Sequence, residues 1–275
     1  MQREVLNLFE YRSLQYLLMK YEYVYRNCYP LCGASIYGDK VIYMTDSHAG
    51  NGETENLRLM DVVYNEALRQ NVRTAVHLGD LLEGTPVEHE KPAEVVEGEF
   101  DKAESLMPDE IKTWLLLGNH EYSAIRTYPV LIDKFFTSTK LEVLGMGKCL
   151  IFWNGSIIRL NHQITQLQNG LEVNEPRGII ELSGHVHYYK AEIEKRNIYV
   201  PPLCKVGNDF SKEALKKYGI NLVSSREAFV ISSQPDINTI LFEVFGVDSE
   251  TYKVNGISEK VEVDRTTKRI SLYRS

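Results

Sequence analysis

Strand-like and helix-like segments alternate along residues 41–182. The predicted strands cover 41–44, 74–78, 113–117, 150–153, 157–160 and 179–182, and the predicted helices cover 57–68, 100–107 and 129–136. The strand-like runs are short and apolar, whereas the helix-like segments carry apolar residues at three- and four-residue spacing. This alternation is typical of a layered fold built on a buried sheet. The pattern therefore predicts an α/β fold class, in an α+β layered arrangement.

The two ends of the chain differ from this central region. Apolar positions at mixed spacing predict a helical arm over residues 1–33. Two β-prone runs joined at Gly38-Asp39 then predict a hairpin over 34–45. Beyond Pro201-Pro202 the predicted elements are a helix at 211–218 and strands at 228–231, 239–245, 260–264 and 269–273, the last two as a hairpin. We therefore expect one main domain over 34–275, completed or capped by residues 203–275.

The composition is that of a folded globular chain, with 275 residues of which 43% are hydrophobic and 25% charged. A formal net charge of −7 argues against a large basic nucleic-acid surface, although it is compatible with a local groove. No apolar run is long enough to span a bilayer, and the first residues lack a signal-peptide region. We therefore expect a cytoplasmic protein without a membrane partner. The 4 cysteines are scattered, which favours free thiols in a reducing compartment.

Metal-ligand side chains directly follow five of the predicted strands. In open α/β sheets, ligands bind outside the carboxyl ends of the strands. Aspartate, asparagine and histidine at these ends are the residue types that a transition-metal site needs. Each motif alone is weak, but together they place five of the 7 histidines at strand ends. The motifs, in chain order, are Asp46-x-His48, Gly79-Asp80, Gly118-Asn119-His120-Glu121, His162 and Gly184-His185-x-His187.

The order of these motifs resembles the calcineurin-like metallophosphoesterase superfamily. The resemblance covers about residues 40–190 and includes all five motif blocks. It implies a β-sandwich flanked by helices, with a dimetal site at the carboxyl ends of strands. It also implies that Asp46, His48 and His187 hold one metal and that Asp80 bridges to the second. The ligands implied for the second metal are Asn119, His162 and His185.

Two divalent cations at such a site clamp phosphoryl oxygens and lower the pKa of a shared water, which gives a dimetal-bridging hydroxide as the nucleophile. Mixed imidazole, carboxylate and amide ligands suit manganese, iron or zinc better than calcium or copper. We expect two divalent ions, with Mn²⁺ first and iron, zinc or nickel as alternatives.

Two further residues are candidates for catalytic roles. The resemblance implies that His120 faces the leaving-group oxygen and donates a proton to it or stabilises its charge. Glu83 lies three residues after Asp80, where related phosphatases often have an aspartate that orients this histidine. The alternative for Glu83 is a solvated loop carboxylate beside Gly84.

The substrate prediction depends on two arginines that this chain lacks and on two tyrosines that it has. Phosphoprotein phosphatases of the superfamily carry arginines where this chain has Gly84 and Leu117, so a protein phosphatase is disfavoured. The stretch 111–120 resembles phosphodiesterases and DNA-repair nucleases, including phage-type members. Tyr122 and Tyr188 lie beside the ligands and are candidates for stacking on bases, with rim packing as the alternative.

The sequence therefore predicts a metal-dependent phosphoesterase that hydrolyses a phosphodiester, with a nucleotide or DNA as substrate. The alternatives are a phosphomonoesterase, including a protein phosphatase, and a non-catalytic binding scaffold of the same fold. Scaffold relatives typically lose one or more ligands, and this chain retains all of them, which favours the enzyme.

Overall fold

The computed structural model describes residues 33–50, 52, 56–84, 91–162, 178–204, 228–248 and 250–274. The predicted helical arm, apart from its last residue, and the predicted helix at 211–218 lie outside these residues. The domain boundaries therefore stay predictions. Two of the cysteines, Cys149 and Cys204, are described, and both are buried.

The described part of the chain contains four helices and fourteen strands. The helices are α1 (Leu57–Arg69), α2 (Ala93–Ser105), α3 (Asn119–Thr127) and α4 (Leu131–Thr137). The strands are β1 (Gly33–Ile36), β2 (Lys40–Met44), β3 (Thr74–His77), β4 (Lys112–Leu117), β5 (Leu141–Met146), β6 (Lys148–Trp153), β7 (Ser156–Asn161), β8 (Ile180–Ser183), β9 (Lys190–Glu192), β10 (Asn197–Tyr199), β11 (Ala228–Asp236), β12 (Thr239–Val247), β13 (Val254–Asp264) and β14 (Ile270–Arg274).

The strands form two sheets that pack face to face. The smaller sheet has the order β1-β6-β7-β8-β10-β9, and the larger has the order β14-β13-β12-β11-β2-β3-β4-β5. Alternation along β2 shows how the larger sheet is buried on both faces. Val41 and Tyr43 face the smaller sheet, in a core that includes Trp153. Ile42 and Met44 face the helices.

Helices cover the outer face of the larger sheet. The apolar stripe of α1 includes Leu59, Met60 and Val63, all fully buried against this sheet. The side chain of Asn56 caps the helix by accepting the N–H of Leu59 at 3.2 Å. The predicted layered α/β class and the β-sandwich with flanking helices are confirmed.

The hairpin predicted over 34–45 is wrong. Strand β1 pairs in parallel with β6 in the smaller sheet, whereas β2 lies between β3 and β11 in the larger one. The turn at Gly38 carries the chain from one sheet to the other, and the Trp153 indole N–H holds it by donating to the Gly38 carbonyl at 2.8 Å. A strand that is apolar on both faces is stabilised in the centre of a sheet, where both faces are covered.

The other predicted elements differ from the observed ones mainly in where they begin and end. The helix predicted at 100–107 begins at Ala93, directly after Pro92. The strands predicted at 150–153 and 157–160 form the antiparallel pair of β6 and β7, and the predicted hairpin of β13 and β14 is confirmed. Elements that the sequence pattern did not predict are α3, β5, β9 and β10. None of the helices in the described residues combines the length and the apolar character that a bilayer span requires.

Candidate metal centre

All seven predicted metal ligands lie at one end of the sandwich. Strands β2, β3 and β4 are parallel neighbours in the larger sheet, and β7 and β8 are parallel neighbours in the smaller one. The loops that leave these five carboxyl ends therefore meet at the same edge. The side chains brought together there are Asp46, His48, Asp80, Asn119, His162, His185 and His187.

One half of the cluster surrounds Asn119. The side-chain Oδ1 of Asn119 lies 2.9 Å from His185 Nδ1 and 3.1 Å from His162 Nε2. His162 Nε2 also lies 3.1 Å from Asp80 Oδ2. Asp80, His162 and His185 thus form a compact group of ligand atoms. These are the residues that the family resemblance implies for the second metal.

The other half of the cluster surrounds Asp46. Its Oδ1 lies 3.3 Å from His187 Nε2 and 3.9 Å from His48 Nε2. The two histidine Nε2 atoms are 3.3 Å apart. Asp80 Oδ2 lies 4.0 Å from His48 Nε2, so Asp80 faces both halves of the cluster. Its position is the one that a bridging carboxylate needs.

A hydrogen bond at the outer ring nitrogen of His162 leaves the lone pair of its Nε2 directed toward the centre of the cluster. His162 Nδ1 is 2.7 Å from the Leu78 carbonyl oxygen, which can only accept, so this nitrogen carries the proton. In the neutral ring Nε2 is then an acceptor, and it faces the acceptor oxygens of Asn119 and Asp80. Acceptors converging on one point without a donor are satisfied by a cation.

Two buried carboxylate oxygens support the same conclusion. When His162 and His187 are neutral, the buried oxygens Asp46 Oδ1 and Asp80 Oδ2 receive no hydrogen bond from the described residues. An uncompensated buried carboxylate oxygen costs several kcal/mol unless a donor or a metal satisfies it. The opposite oxygens are satisfied, because Asp46 Oδ2 accepts the His185 backbone N–H at 3.0 Å and Asp80 Oδ1 accepts that of His120 at 3.0 Å. The residues present therefore fit two divalent cations.

Neighbouring charges in the cluster shift the pKa values of His162 and Asp80. Burial lowers the pKa of His162, but the neighbouring Asp80 carboxylate outweighs burial and raises that pKa to about 9. Burial opposes ionisation of Asp80, yet the surrounding imidazoles hold its pKa well below the usual value. A proton and a cation compete for His162 Nε2, so metal binding at this atom releases a proton and weakens as the pH falls.

Two glycines of the motifs allow the strand-end loops to approach each other. A Cβ at Gly118 would lie 2.3 Å from Asp80 Oδ1, and a Cβ at Gly79 would lie 2.6 Å from His162 Nδ1. Gly79 also has φ of +106°, which L side chains rarely adopt. Both loops can therefore reach the cluster only because these positions have no side chain.

Glu121, in the first turn of α3, joins two of the loops. Its buried carboxylate accepts backbone N–H groups from Gly118 at 2.8 Å, Asp80 at 2.9 Å and Leu82 at 2.8 Å. Burial, followed by repulsion from Asp80, raises the pKa of Glu121 to about 7. The three N–H donors favour the charged form and fix the loop after β3 against the loop after β4.

Five of the cluster residues have left-handed backbone conformations. The set comprises Asp46 at φ 54°, His48 at 48°, Asp80 at 52°, His185 at 76° and His187 at 51°. Such a conformation costs a residue with a Cβ about 1–2 kcal/mol. Backbone strain of this kind concentrates where it serves to aim side chains.

Glu83 contacts two histidines, one through its side chain and one through its backbone. Its carboxylate Oε2 lies 2.9 Å from His48 Nδ1, whereas His120 Nδ1 lies 2.6 Å from the Glu83 backbone carbonyl. The N–H of Glu83 pairs with the carbonyl of Ala49 at 2.9 Å, so the residue runs beside the loop that carries His48. Glu83 therefore contacts both histidines, and its side chain contacts the one that the sequence analysis assigned to a metal.

Replacement of Glu83 by alanine is expected to weaken binding of one of the two metals by about 10–100-fold, because such outer contacts orient metal-ligating histidines. Glu83→Gln should lose less, since its amide oxygen still accepts the His48 N–H. The measurement is a Mn²⁺ titration of metal-free protein, with Glu94→Ala on the exposed face of α2 as the control. Unchanged metal affinity together with a lower kcat would instead show that the Glu83 side chain orients His120.

The tyrosines predicted to bind substrate have side-chain partners of their own. The ring of Tyr122, on α3, has the Arg126 guanidinium 5.6 Å from its centroid. Tyr188 packs on Tyr199 with ring centroids 5.5 Å apart. Both side chains are half-buried. Their role in binding a base stays a prediction.

Two residues that support the loops of the candidate site were not predicted from the sequence. Glu99 on α2 is buried and accepts the Gly84 N–H at 2.8 Å and the Lys91 ammonium at 2.6 Å, which fixes the residue next to Glu83. Its position on the apolar stripe of α2, between Val96 and Ala103, was a signal that could have found it. Cys204, after β10, lies against the cluster, and no local pattern marks it.

No protein-family model matches the sequence, and no curated protein shows significant similarity to it. Among solved structures, 48 chains match, and they include phosphoesterases. YfcE, a phosphoesterase from E. coli, is 13% identical with a TM-score of 0.40, over 79% of this chain and 97% of that chain.

Two further matches are of the same kind. A novel archaeal phosphodiesterase is 12% identical with a TM-score of 0.34, over 82% of this chain and 99% of that chain. The nuclease MPE from Pseudomonas putida is 13% identical with a TM-score of 0.34, over 70% of this chain and 84% of that chain. All three TM-scores lie below 0.5.

Proposed function

We propose that the chain is a metal-dependent phosphoesterase that hydrolyses phosphodiesters, with nucleotides or DNA as the substrate class. The observation that carries the proposal is the convergence of buried acceptor atoms on two adjacent points. Asp46 Oδ1 and Asp80 Oδ2, which lack hydrogen-bond donors among the described residues, both belong to this cluster.

In this proposal Asp46, His48 and His187 hold one divalent cation and Asp80 is shared with the second. The second cation is held by Asn119, His162 and His185. Such a pair of cations neutralises charge on the phosphoryl oxygens and lowers the pKa of a water molecule toward neutrality. The nitrogen and oxygen donors favour Mn²⁺, with iron, zinc or nickel as alternatives.

His120 acts on the leaving group. Its Nδ1 donates to the Glu83 carbonyl at 2.6 Å, so its Nε2 is turned toward the cluster, 3.9 Å from Asp80 Oδ2. The side chain is 23% exposed, which gives it access to a substrate. In this position Nε2 can hold a proton for the departing oxygen, and the Glu83 carbonyl fixes the ring orientation.

The preference for diesters follows from two positions that cannot carry an arginine. Leu117 is buried in the core between the larger sheet and the helices, where a guanidinium would be desolvated. Gly84 has φ of +65°, and a Cβ there would lie 3.0 Å from the His120 carbonyl oxygen. Without arginines at these positions, a dianionic monoester loses the bidentate clamp that protein phosphatases use. A monoanionic diester needs less positive charge.

Hydrolysis of two esters with the same leaving group tests the proposal. Manganese-loaded protein should cleave bis(p-nitrophenyl) phosphate with a higher kcat/KM than p-nitrophenyl phosphate, and chelation should abolish both activities. A panel of nucleotides, cyclic nucleotides and single- and double-stranded DNA then defines the substrate class. Metal-free protein that is equally active, or a phosphopeptide cleaved faster than every diester, would contradict the proposal. The cytoplasmic location stays a prediction.

A further inference from the structure

Cys204 lies beside the metal centre although it belongs to no metal-ligand motif. The segment after β10 runs along the loop after β2, where the Leu203 N–H donates to the Thr45 carbonyl and the Cys204 N–H donates to the Asp46 carbonyl, both at 2.8 Å. The thiol is 2% exposed. Two backbone hydrogen bonds therefore fix this side chain next to the residues of the first metal.

The sulfur faces the outer nitrogen of His187. Cys204 Sγ lies 3.8 Å from His187 Nδ1, within hydrogen-bond distance for sulfur. The other ring nitrogen, Nε2, faces Asp46 Oδ1 and His48 Nε2, each at 3.3 Å. The sulfur also lies within 4.8 Å of a ring nitrogen of His48, so Cys204 borders the group of ligand atoms. A proton on Nδ1 leaves Nε2 free to bind a cation.

The other histidines of the centre that present Nε2 have an acceptor at the same place. His48 Nδ1 faces the Glu83 carboxylate at 2.9 Å, and His162 Nδ1 faces the Leu78 carbonyl at 2.7 Å. Metal sites use such acceptors, usually carboxylates or carbonyls, to fix the tautomer and the orientation of the ligating ring. For His187, the acceptor found at this position among the described residues is the sulfur of Cys204.

We propose that Cys204 is a positioning residue of the metal centre, whose sulfur accepts the Nδ1–H of His187 and so directs the Nε2 lone pair of this histidine to the cation. This inference rests on the metal centre of the proposed function and not on the choice of ester. A side chain 17 residues from the histidine it orients would thus complete the set of outer contacts.

The test measures metal binding. Cys204→Ala is expected to weaken one of the two Mn²⁺ affinities by about 10–100-fold in a calorimetric titration of metal-free protein, with the other affinity unchanged. Cys204→Ser, whose hydroxyl oxygen can accept the same proton, should lose less. Cys149→Ala is the matched control, because Cys149 is a buried cysteine in the core between the sheets. Circular dichroism verifies that each variant is folded.

A double-mutant cycle separates positioning from a general packing effect. If Cys204 acts through His187, Cys204→Ala should have no further effect on metal affinity in a His187→Ala background and its full effect in a His162→Ala background. An equal effect in both backgrounds, or unchanged affinities in Cys204→Ala and Cys204→Ser alike, overturns the proposal.

Cobalt substitution tests the remaining alternative, direct ligation. A thiolate-to-cobalt charge-transfer band in the Co²⁺ protein that disappears in Cys204→Ala would make the sulfur a ligand and overturn the positioning role. A spectrum without this band supports the proposal. Because both readouts are metal binding, failure of the proposed ester hydrolysis would leave this result standing, and the two proposals can be judged separately.

Discussion

Replacement of Asp80 by asparagine is expected to lower turnover of any ester substrate by about 10³-fold or more. Asp80 Oδ2 lies 3.1 Å from His162 Nε2 and 4.0 Å from His48 Nε2, so it faces both halves of the centre. The amide removes the negative charge that compensates two cations. It also introduces an N–H₂ donor or a neutral oxygen where a buried carboxylate oxygen now lacks a donor.

Metal content and rate are measured on the same preparation, by elemental analysis and with bis(p-nitrophenyl) phosphate. The control is Asp61→Asn, which makes the same chemical change on the exposed face of α1. We expect Asp80→Asn to bind fewer than two metals and to stay inactive at saturating manganese. Two bound metals and near-normal turnover would remove Asp80 from the bridging position.

Replacement of His120 by asparagine is expected to leave both metals bound and to lower turnover by about 10²–10⁴-fold, which is the range for loss of a general acid. Among the described residues, the acceptor for its Nδ1 is the Glu83 backbone carbonyl at 2.6 Å, and the side chain is 23% exposed. The loss should be small for esters of p-nitrophenol, which leave without a proton. It should be largest for an alkoxide such as a ribose hydroxyl.

The matched variant is His162→Asn, because His162 is fully buried and contacts Asn119 and Asp80. This variant should lose one metal and slow all substrates alike. Rates on one activated and one unactivated diester, together with metal content, distinguish the two histidines. An equal loss on both esters for His120→Asn, together with a missing metal, would show that His120 is a metal ligand.

The candidate site could be predicted from the sequence because its geometry follows from one rule of sheet topology. Ligands such as Asp46, Asp80 and His185 directly follow strands, and parallel strands bring their carboxyl ends to one edge. Short-range patterns were less reliable. The turn at Gly38 has hairpin chemistry, yet β2 is apolar on both faces and pairs with strands distant in sequence instead.

Contacts between loops could not be predicted in the same way. The Glu83 carboxylate meets His48 across 35 residues, and its direction depends on the hydrogen bond between Glu83 and Ala49. Cys204 reaches His187 only because the segment after β10 lies along the loop after β2. Such contacts depend on how two loops lie side by side, and neither loop has a periodic pattern that records this.

Five residues of the cluster keep a left-handed backbone, which lowers stability, and their side chains form the candidate site. They are Asp46, His48, Asp80, His185 and His187. Glycine at any of these positions would relieve backbone strain of about 1–2 kcal/mol, and it would also delete a side chain of the cluster. Selection for thermal resistance in the absence of metal would therefore not retain these side chains. Directed evolution of this chain accordingly needs a screen that demands turnover in every round.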